Sequence, residues 1–194
     1  MMRLGDAIGQ IQAFEGAFGF DSQPGGWRLK RAMAGGGPLV DVGIYPLNET
    51  RWLTGEEPAS YTAVASTRDK TSGRFAEVEQ TLDFTVKYPS GIVAALGCSY
   101  GSSMPGFLRI HGSQGTLEIA PAYDYSGVHL RSLGGRPRVD TATQGNGVYH
   151  FLIEAEYFAN CIRTNTKPAT GGEEGLRDLG AMEAIYKAAG TPMG

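Results

Sequence analysis

The stretch VEQTLDFTVKYPSGIVAALGCSY, residues 78–100, contains two runs rich in β-branched and aromatic residues, Val78 to Tyr88 and Ile92 to Tyr100. Both runs favour the extended backbone, where branched and aromatic side chains pack well on a pleated surface. Between them lie only Pro89, Ser90 and Gly91, a connection short enough for a hairpin. The pair therefore predicts two neighbouring antiparallel strands.

The same composition recurs on both sides of this hairpin. Ala59 to Arg68, Gly106 to Gly112, Thr116 to Ile119 and Val128 to Leu133 are similar runs bounded by Gly, Pro, Ser or Asp. Ser113-Gln114-Gly115 supplies a second hairpin connection. Ile8 to Phe20 reads as an earlier strand, broken by the turn residues of Asp21 to Gly26. About seven strands result, in a largely antiparallel sheet. Three segments carry helical signals. Gly37 to Leu53 places Pro38 in a first turn and Gly55 at a stop. Gly147 to Thr164 and Glu173 to Ala189 space their apolar residues close to a 3.6-residue period. Strands in the middle with helices near the start and at the end predict an α+β domain: an open, mostly antiparallel sheet with helices packed on one face. The other face is left for solvent or a partner, and the apolar strands favour a partner, a homo-oligomer formed through that face.

Composition narrows the function classes. Gly makes up 29 of the 194 residues and Pro 10, too few together for a low-complexity chain, and a hydrophobic share of 41% can build a core. This length suits one domain, 1–194. A net charge of −3 from mixed charges offers no footprint for nucleic acid or an anionic membrane. No apolar run approaches the ~20 residues that span a bilayer, and Met1 to Asp6 is no signal-peptide start, so the chain reads as soluble and cytoplasmic. Cys98 and Cys161 are expected as two buried free thiols. His111, His129 and His150 lack any spacing that sets two on one helical face, so no metal site is expected.

The glycine excess prompts a search for phosphate cradles. A dinucleotide fingerprint needs Gly at i, i+2 and i+5. Gly35 and Gly37 are followed by Val40 at the third position, and Gly145 and Gly147 by His150. No Gly-Lys-Ser/Thr loop is present either. The chain itself is expected to bind no nucleotide by these devices.

The segment GGGPLVDVGIYPLN, residues 35–48, carries the densest chemistry. Asp41, Tyr45 and Asn48 stand at i, i+4 and i+7, on one face of a helix, and Trp52 continues the stripe. An amphipathic helix with a capping Asp, a packed aromatic and a solvated Asn gives the same pattern. Against that plain reading, Gly43 and Pro46 both weaken a helix, Pro46 by roughly 3 kcal/mol in an interior position. A helix that tolerates them is shaped for something besides stability. Trp27 and Arg28 precede the glycines, so Arg28 is a candidate for binding ligand hydroxyls or a carboxylate, with a surface salt bridge as the alternative. Tyr100, at a strand end, is a candidate to stack on substrate. Asn48-Glu49-Thr50 is a formal sequon without expected consequence inside a helix. Gly97-Cys98-Ser99-Tyr100-Gly101 matches the nucleophile elbow of α/β-hydrolases, with Asp124 and then His129 or His150 in the right order. An elbow needs a helix directly after the Ser; Ser102 to Gly106 leads into another strand, so this motif is set aside.

GGGPLVDVGIYPLN resembles the helix motif of the glucose-fructose oxidoreductase, inositol dehydrogenase and MocA (Gfo/Idh/MocA) family, in the version with Tyr in place of His. Gly5 to Glu15, Phe107 to Leu117 and Phe151 to Tyr186 resemble, respectively, the family's linker and first strand, a hairpin and its closing helices. The resemblance implies an NAD(P)-dependent oxidoreductase acting on a sugar or polyol. Tyr45 would be the general acid/base, Asp41 its partner at the substrate or a neighbouring Lys, and Asn48 a pocket residue. In the family the Lys comes from an EKP motif in the nucleotide-binding domain. Neither EKP nor a nucleotide fingerprint occurs here. The resemblance is thus to a C-terminal, substrate-binding and oligomerisation domain whose N-terminal nucleotide-binding domain is absent. Met1 to Gly5 reads like the interior of a longer protein's interdomain helix, which suggests a truncated chain or a fragmentary gene. NADP or NAD would belong to the parent enzyme, with none bound to this chain, and the fragment alone is expected to be inactive. The alternative is a non-catalytic β-sheet oligomerisation or binding module.

Overall fold

The structure is a computed structural model that describes residues 7–134, 138–142, 147–191 and 193. The readings placed on Met1 to Gly5 and on Gly145 lie outside the described residues. Among the described residues, eight strands form one sheet in the order β2-β3-β4-β1-β5-β6-β7-β8. They are β1 (Ile11–Asp21), β2 (Ser60–Ser66), β3 (Thr81–Lys87), β4 (Val93–Ser99), β5 (Gly101–Gly112), β6 (Thr116–Ile119), β7 (His129–Ser132) and β8 (Asp140–Ala142). The 78–100 hairpin forms as β3 and β4, with Leu82 opposite Cys98 and Val86 opposite Ala94. Every pairing is antiparallel except that of β1 with β4, which sets Phe14 beside Ala94 and Phe18 beside Cys98. The fold is α+β with an open, mostly antiparallel sheet.

Two strand readings change. The short β8 is an addition. β5 starts at Gly101, ahead of the expected Gly106, and runs through Ser102, Ser103 and Pro105, all weak strand formers. The register explains this: Ala17 pairs with Phe107 but Gly19 with Met104, so an extra residue bulges from β5 near Pro105. A bulge is where a strand tolerates proline, whose missing N–H breaks the ladder anyway.

Alternation gives the sheet two unlike faces. Phe14, Leu82, Phe84, Val86, Ala94, Leu96, Leu108 and Ile110 point into the core. They share it with Leu39, Val42 and Leu47 from the segment after the glycines, and with Met182, Ile185 and Tyr186 near the C-terminus. The opposite face is open, and a groove on it is lined by Glu15, Ala17, Thr62, Val64, Asp83 and Thr85.

The expected helix over Gly37 to Leu53 is in fact two pieces. A π-helical turn, Leu39–Gly43, passes directly into an α-helix, Ile44–Thr54. A short helix, α1 (Arg31–Ala34), precedes the glycines, so the longer one is α2. The break has a physical cause. In an unbroken α-helix the Pro46 ring would press on the Val42 carbonyl four residues back. The wider π turn ends three residues before Pro46, which puts the proline in the first turn of α2, where no partner for its nitrogen is needed. Gly43 adds closeness: a Cβ there would lie 2.8 Å from Cys98 Sγ, so only Gly lets the turn rest on β4. Gly55 ends α2 in the left-handed region, φ 67°, as its stop position predicts.

The last two helices are α3 (Gly147–Thr164) and α4 (Gly172–Ala188). α4 buries Ala181, Met182, Ile185 and Tyr186. α3 has the anticipated periodicity, yet Val148, Phe151, Leu152, Phe158 and Ile162 are exposed and Cys161 alone is classed as buried among its described residues. Its apolar stripe does not meet the sheet. Cys98 and Cys161 are both buried and unpaired with each other. No described helix is long and apolar enough to cross a membrane.

Candidate active site

The site grows from the π turn. Asp41 sits on that turn, half-buried, and receives two hydrogen bonds on Oδ2. Arg28 Nε donates at 2.8 Å, from the short 3-10 turn Trp27–Leu29. The Tyr100 hydroxyl donates at 2.9 Å, from the corner between β4 and β5. Arg28 also lies over the Trp27 ring, 4.6 Å from its centroid, which leaves the guanidinium braced on two sides.

Tyr45 lies in the first turn of α2 and is 48% exposed. Its ring is gripped by Phe18, edge-on at 5.7 Å, and by Tyr123 at 5.4 Å. Tyr123 donates its hydroxyl to Glu49 Oε2 at 3.0 Å. Burial comes first among the causes that raise the Tyr45 phenol above its ordinary value, followed by the negative charge available to Tyr125 and Asp41. Tyr45 therefore keeps its proton at neutral pH. Burial likewise pushes the Glu49 carboxyl up, against the hydrogen bond from Tyr123. A cleft of about 520 Å³ opens beside this cluster, lined by Tyr45, Asn48, Glu49, Tyr123, Glu174 and Asp178 among others.

The structure brings Asp41, Arg28 and Tyr100 together and sets Tyr45 one turn further on. It treats two candidates differently from their sequence reading. Tyr100 is fully buried, packed against Phe20 at 5.3 Å, so it offers no face for stacking on a ligand and serves through its hydroxyl on Asp41. The reason is its position at the corner, where its ring turns into the core. Arg28 makes the salt bridge that was its alternative, but with Asp41 itself. Asn48 does line the cleft, while its amide donates to Asp178 Oδ2 at 2.9 Å, which ties α2 to α4. Trp52 is exposed at the far end of α2. Ser99 is buried and bonded to Thr81 and Gln80, and β5 begins two residues later, so no nucleophile elbow forms.

Phe18, Glu49 and Tyr123 escaped the sequence reading. Glu49 stands four residues after Tyr45, a spacing that marks a neighbour on a helix. Phe18 and Tyr123 carry no such signal, because strand register and a loop bring them in.

The glycine loop does not suit a pyrophosphate. Gly35 N–H is donated to the Arg31 carbonyl and Gly37 N–H to the Tyr186 hydroxyl, so both amides turn inward. The set around the cleft comprises the phenols of Tyr45 and Tyr123, the Asn48 amide and the carboxylates of Glu49, Glu174 and Asp178, with Asp41, held by Arg28, one turn before Tyr45. It fits a polyhydroxylated ligand, whose hydroxyls both donate and accept.

A family model described as the GFO/IDH/MocA C-terminal domain matches residues 4–118. The D-xylose 1-dehydrogenase [NADP(+)] of Haloarcula marismortui is 30% identical over 172 residues, 87% of this chain and 46% of that protein. The 1,5-anhydro-D-fructose reductase of Ensifer adhaerens is 28% identical, over 86% of this chain and 49% of its own length. The chain thus spans about half the length of the curated relatives it matches. Among solved structures, the aldose-aldose oxidoreductase of Caulobacter crescentus, complexed with glycerol, superposes with a TM-score of 0.85 at 39% identity. That match covers 94% of this chain and 54% of the other.

Proposed function

Because the chain belongs to the GFO/IDH/MocA family, as its C-terminal domain, we propose that residues 1–194 form the substrate-side domain of an NAD(P)-dependent oxidoreductase acting on a sugar or polyol. The names of the relatives support this class of substrate, and NADP as a cofactor. The observation that carries the reading is the pairing of a half-exposed, proton-holding Tyr45 with an Asp41 that is fixed from two sides.

In this reading a sugar carbonyl or carbinol carbon lies against Tyr45. A bound nicotinamide supplies or accepts hydride at that carbon. Tyr45 handles the proton. In reduction its phenol O–H donates to the carbonyl oxygen as the alkoxide forms. In oxidation the phenolate must accept the hydroxyl proton, which requires a cation to lower the phenol's affinity for it. Arg28 is committed to Asp41, so that cation is assigned to the nucleotide-binding half, as is the nucleotide itself. Asp41 orients the substrate or that cation. Asn48 and the wall of Glu49 and Tyr123 border the sugar. The open sheet face is proposed as the surface between copies, and the chain alone is proposed to be inactive.

The test is Tyr45→Phe in the complete oxidoreductase, assayed with an aldose and NADP. We expect kcat to fall by roughly 10²–10⁴-fold, the usual worth of general acid/base catalysis. A rate close to wild type rejects the role given to Tyr45. Calorimetry on this chain alone should show no NADP binding.

A further inference from the structure

The segment that delivers Asp41 begins in the interior. Gly36, Gly37, Pro38 and Leu39 are all buried. A buried amide without a partner is costly, so the Gly37 N–H needs an acceptor. That acceptor is the hydroxyl of Tyr186 on α4, at 2.8 Å. The Tyr186 hydroxyl in turn donates to Glu79 Oε1 at 2.7 Å, just before β3. Three elements distant in sequence therefore meet at one phenol: the glycine loop, the last helix and the entry to a central hairpin. Tyr186 and Glu79 are 1% and 5% exposed, so water does not compete for these bonds.

The glycines record how tightly this contact is drawn. A Cβ on Gly37 would fall 2.5 Å from the Glu79 carboxyl, and one on Gly36 would fall 2.7 Å from the Tyr186 oxygen. Both residues are Gly at φ values that other residues adopt, so clearance from Tyr186 and Glu79 is what demands them. Among the described residues, Glu79 Oε2 has no hydrogen-bond partner. Burial pushes this carboxyl up despite the Tyr186 bond. This buried carboxyl accepts from the phenol and fixes its O–H, so that a lone pair of the Tyr186 oxygen faces Gly37.

We infer that Tyr186 and Glu79 are positioning residues for the turn that carries Asp41, holding it through the Gly37 amide. The tether is a property of this chain. Its consequence for catalysis rests on the reading of Asp41 and Tyr45 given above.

Amide hydrogen exchange by NMR on the full 194-residue chain tests the tether. In Tyr186→Phe, exchange at Gly37 and over residues 39–43 should rise about tenfold or more, the loss expected for one buried hydrogen bond, while the amides of β3 and β4 keep their wild-type rates. Glu79→Gln keeps an oxygen to accept from Tyr186 and should retain a slow Gly37; Glu79→Leu should not. Unchanged exchange at Gly37 in Tyr186→Phe, or an equal rise throughout the core, overturns the inference. In the complete oxidoreductase, Tyr186→Phe should lower kcat about tenfold with KM nearly constant. If Tyr45→Phe lowers kcat and Tyr186→Phe does not, the positioning role is rejected. If neither lowers it, the acid/base reading fails, and the exchange rates alone judge the tether.

Discussion

Arg28 precedes the helical segment on which Arg51 lies, and each answers carboxylates, yet their surroundings differ. Arg51, on α2, has a side chain only 2% exposed. It holds Glu57 with both Nε and Nη2, and meets Glu174 at 3.0 Å and Asp178 with Nη1. All its partners are carboxylates of this chain, and two of them come from α4. Arg28 is 41% exposed in its side chain and meets a single carboxylate, Asp41, itself 26% exposed. The same ion pairing thus does two jobs. Where a buried guanidinium has its donors taken up by several carboxylates, the pairing docks one helix on another. Where both partners are partly open to solvent, the pair orients a group without consuming it.

The largest expected effect comes from breaking the closed cluster. Arg51→Met would leave the buried Asp178 without its cation and Glu174 with Arg177 alone, and should cost about 3–5 kcal/mol by urea unfolding, as removal of one partner from a buried pair usually does. A loss below about 1 kcal/mol would show that the cluster is as weakly coupled as a surface pair.

An intermediate effect lies in the acid limb. Burial pushes the Glu174 carboxyl up, but the bonds from Arg177 and Arg51 outweigh it and hold the group below its ordinary value of 4.5. A depressed carboxylate stabilises the fold above its unfolded pKa, and that stability is lost as pH falls through the folded value. Stability of the wild type should therefore drop below pH 4.5, and Glu174→Gln should flatten that slope when unfolding is followed between about pH 5 and 2. An unchanged slope would remove Glu174 from the cluster's working members.

The smallest effect is expected at the open pair. Arg28→Ala should change stability by no more than about 1 kcal/mol, because solvent screens a half-exposed ion pair. A cost matching that of Arg51→Met would erase the distinction between the two clusters.

What the sequence made legible follows the range of the interactions. The 78–100 hairpin is local: two strand-forming runs and a three-residue turn, so composition suffices. The Asp41, Asn48 and Tyr45 spacing is equally local, and the glycines ahead of it mark the motif. The register of β1 is not local, because its partners β4 and β5 lie far along the chain and neither flanks it in sequence. The same holds for the Tyr100 bond to Asp41, across 59 residues, and for the ring of Tyr123 against Tyr45. The π turn was half visible: Gly43 and Pro46 declared a fault in the helix, though not how the backbone would resolve it. The α3 stripe shows the limit of periodicity, which marks a face but not what that face meets.

The central place of β1 sets a timetable for synthesis. Phe14 finds its neighbours only when Ala94 and Ile110 have been made. At roughly 5–20 residues per second, β1 spends about 4–16 s outside the ribosome without a partner on either side. Throughout that interval Ile11, Phe14 and Phe18 present a strand with two open edges. The middle of the sheet closes only once the 78–100 hairpin and β5 have been made, and β6, β7 and β8 then extend one edge.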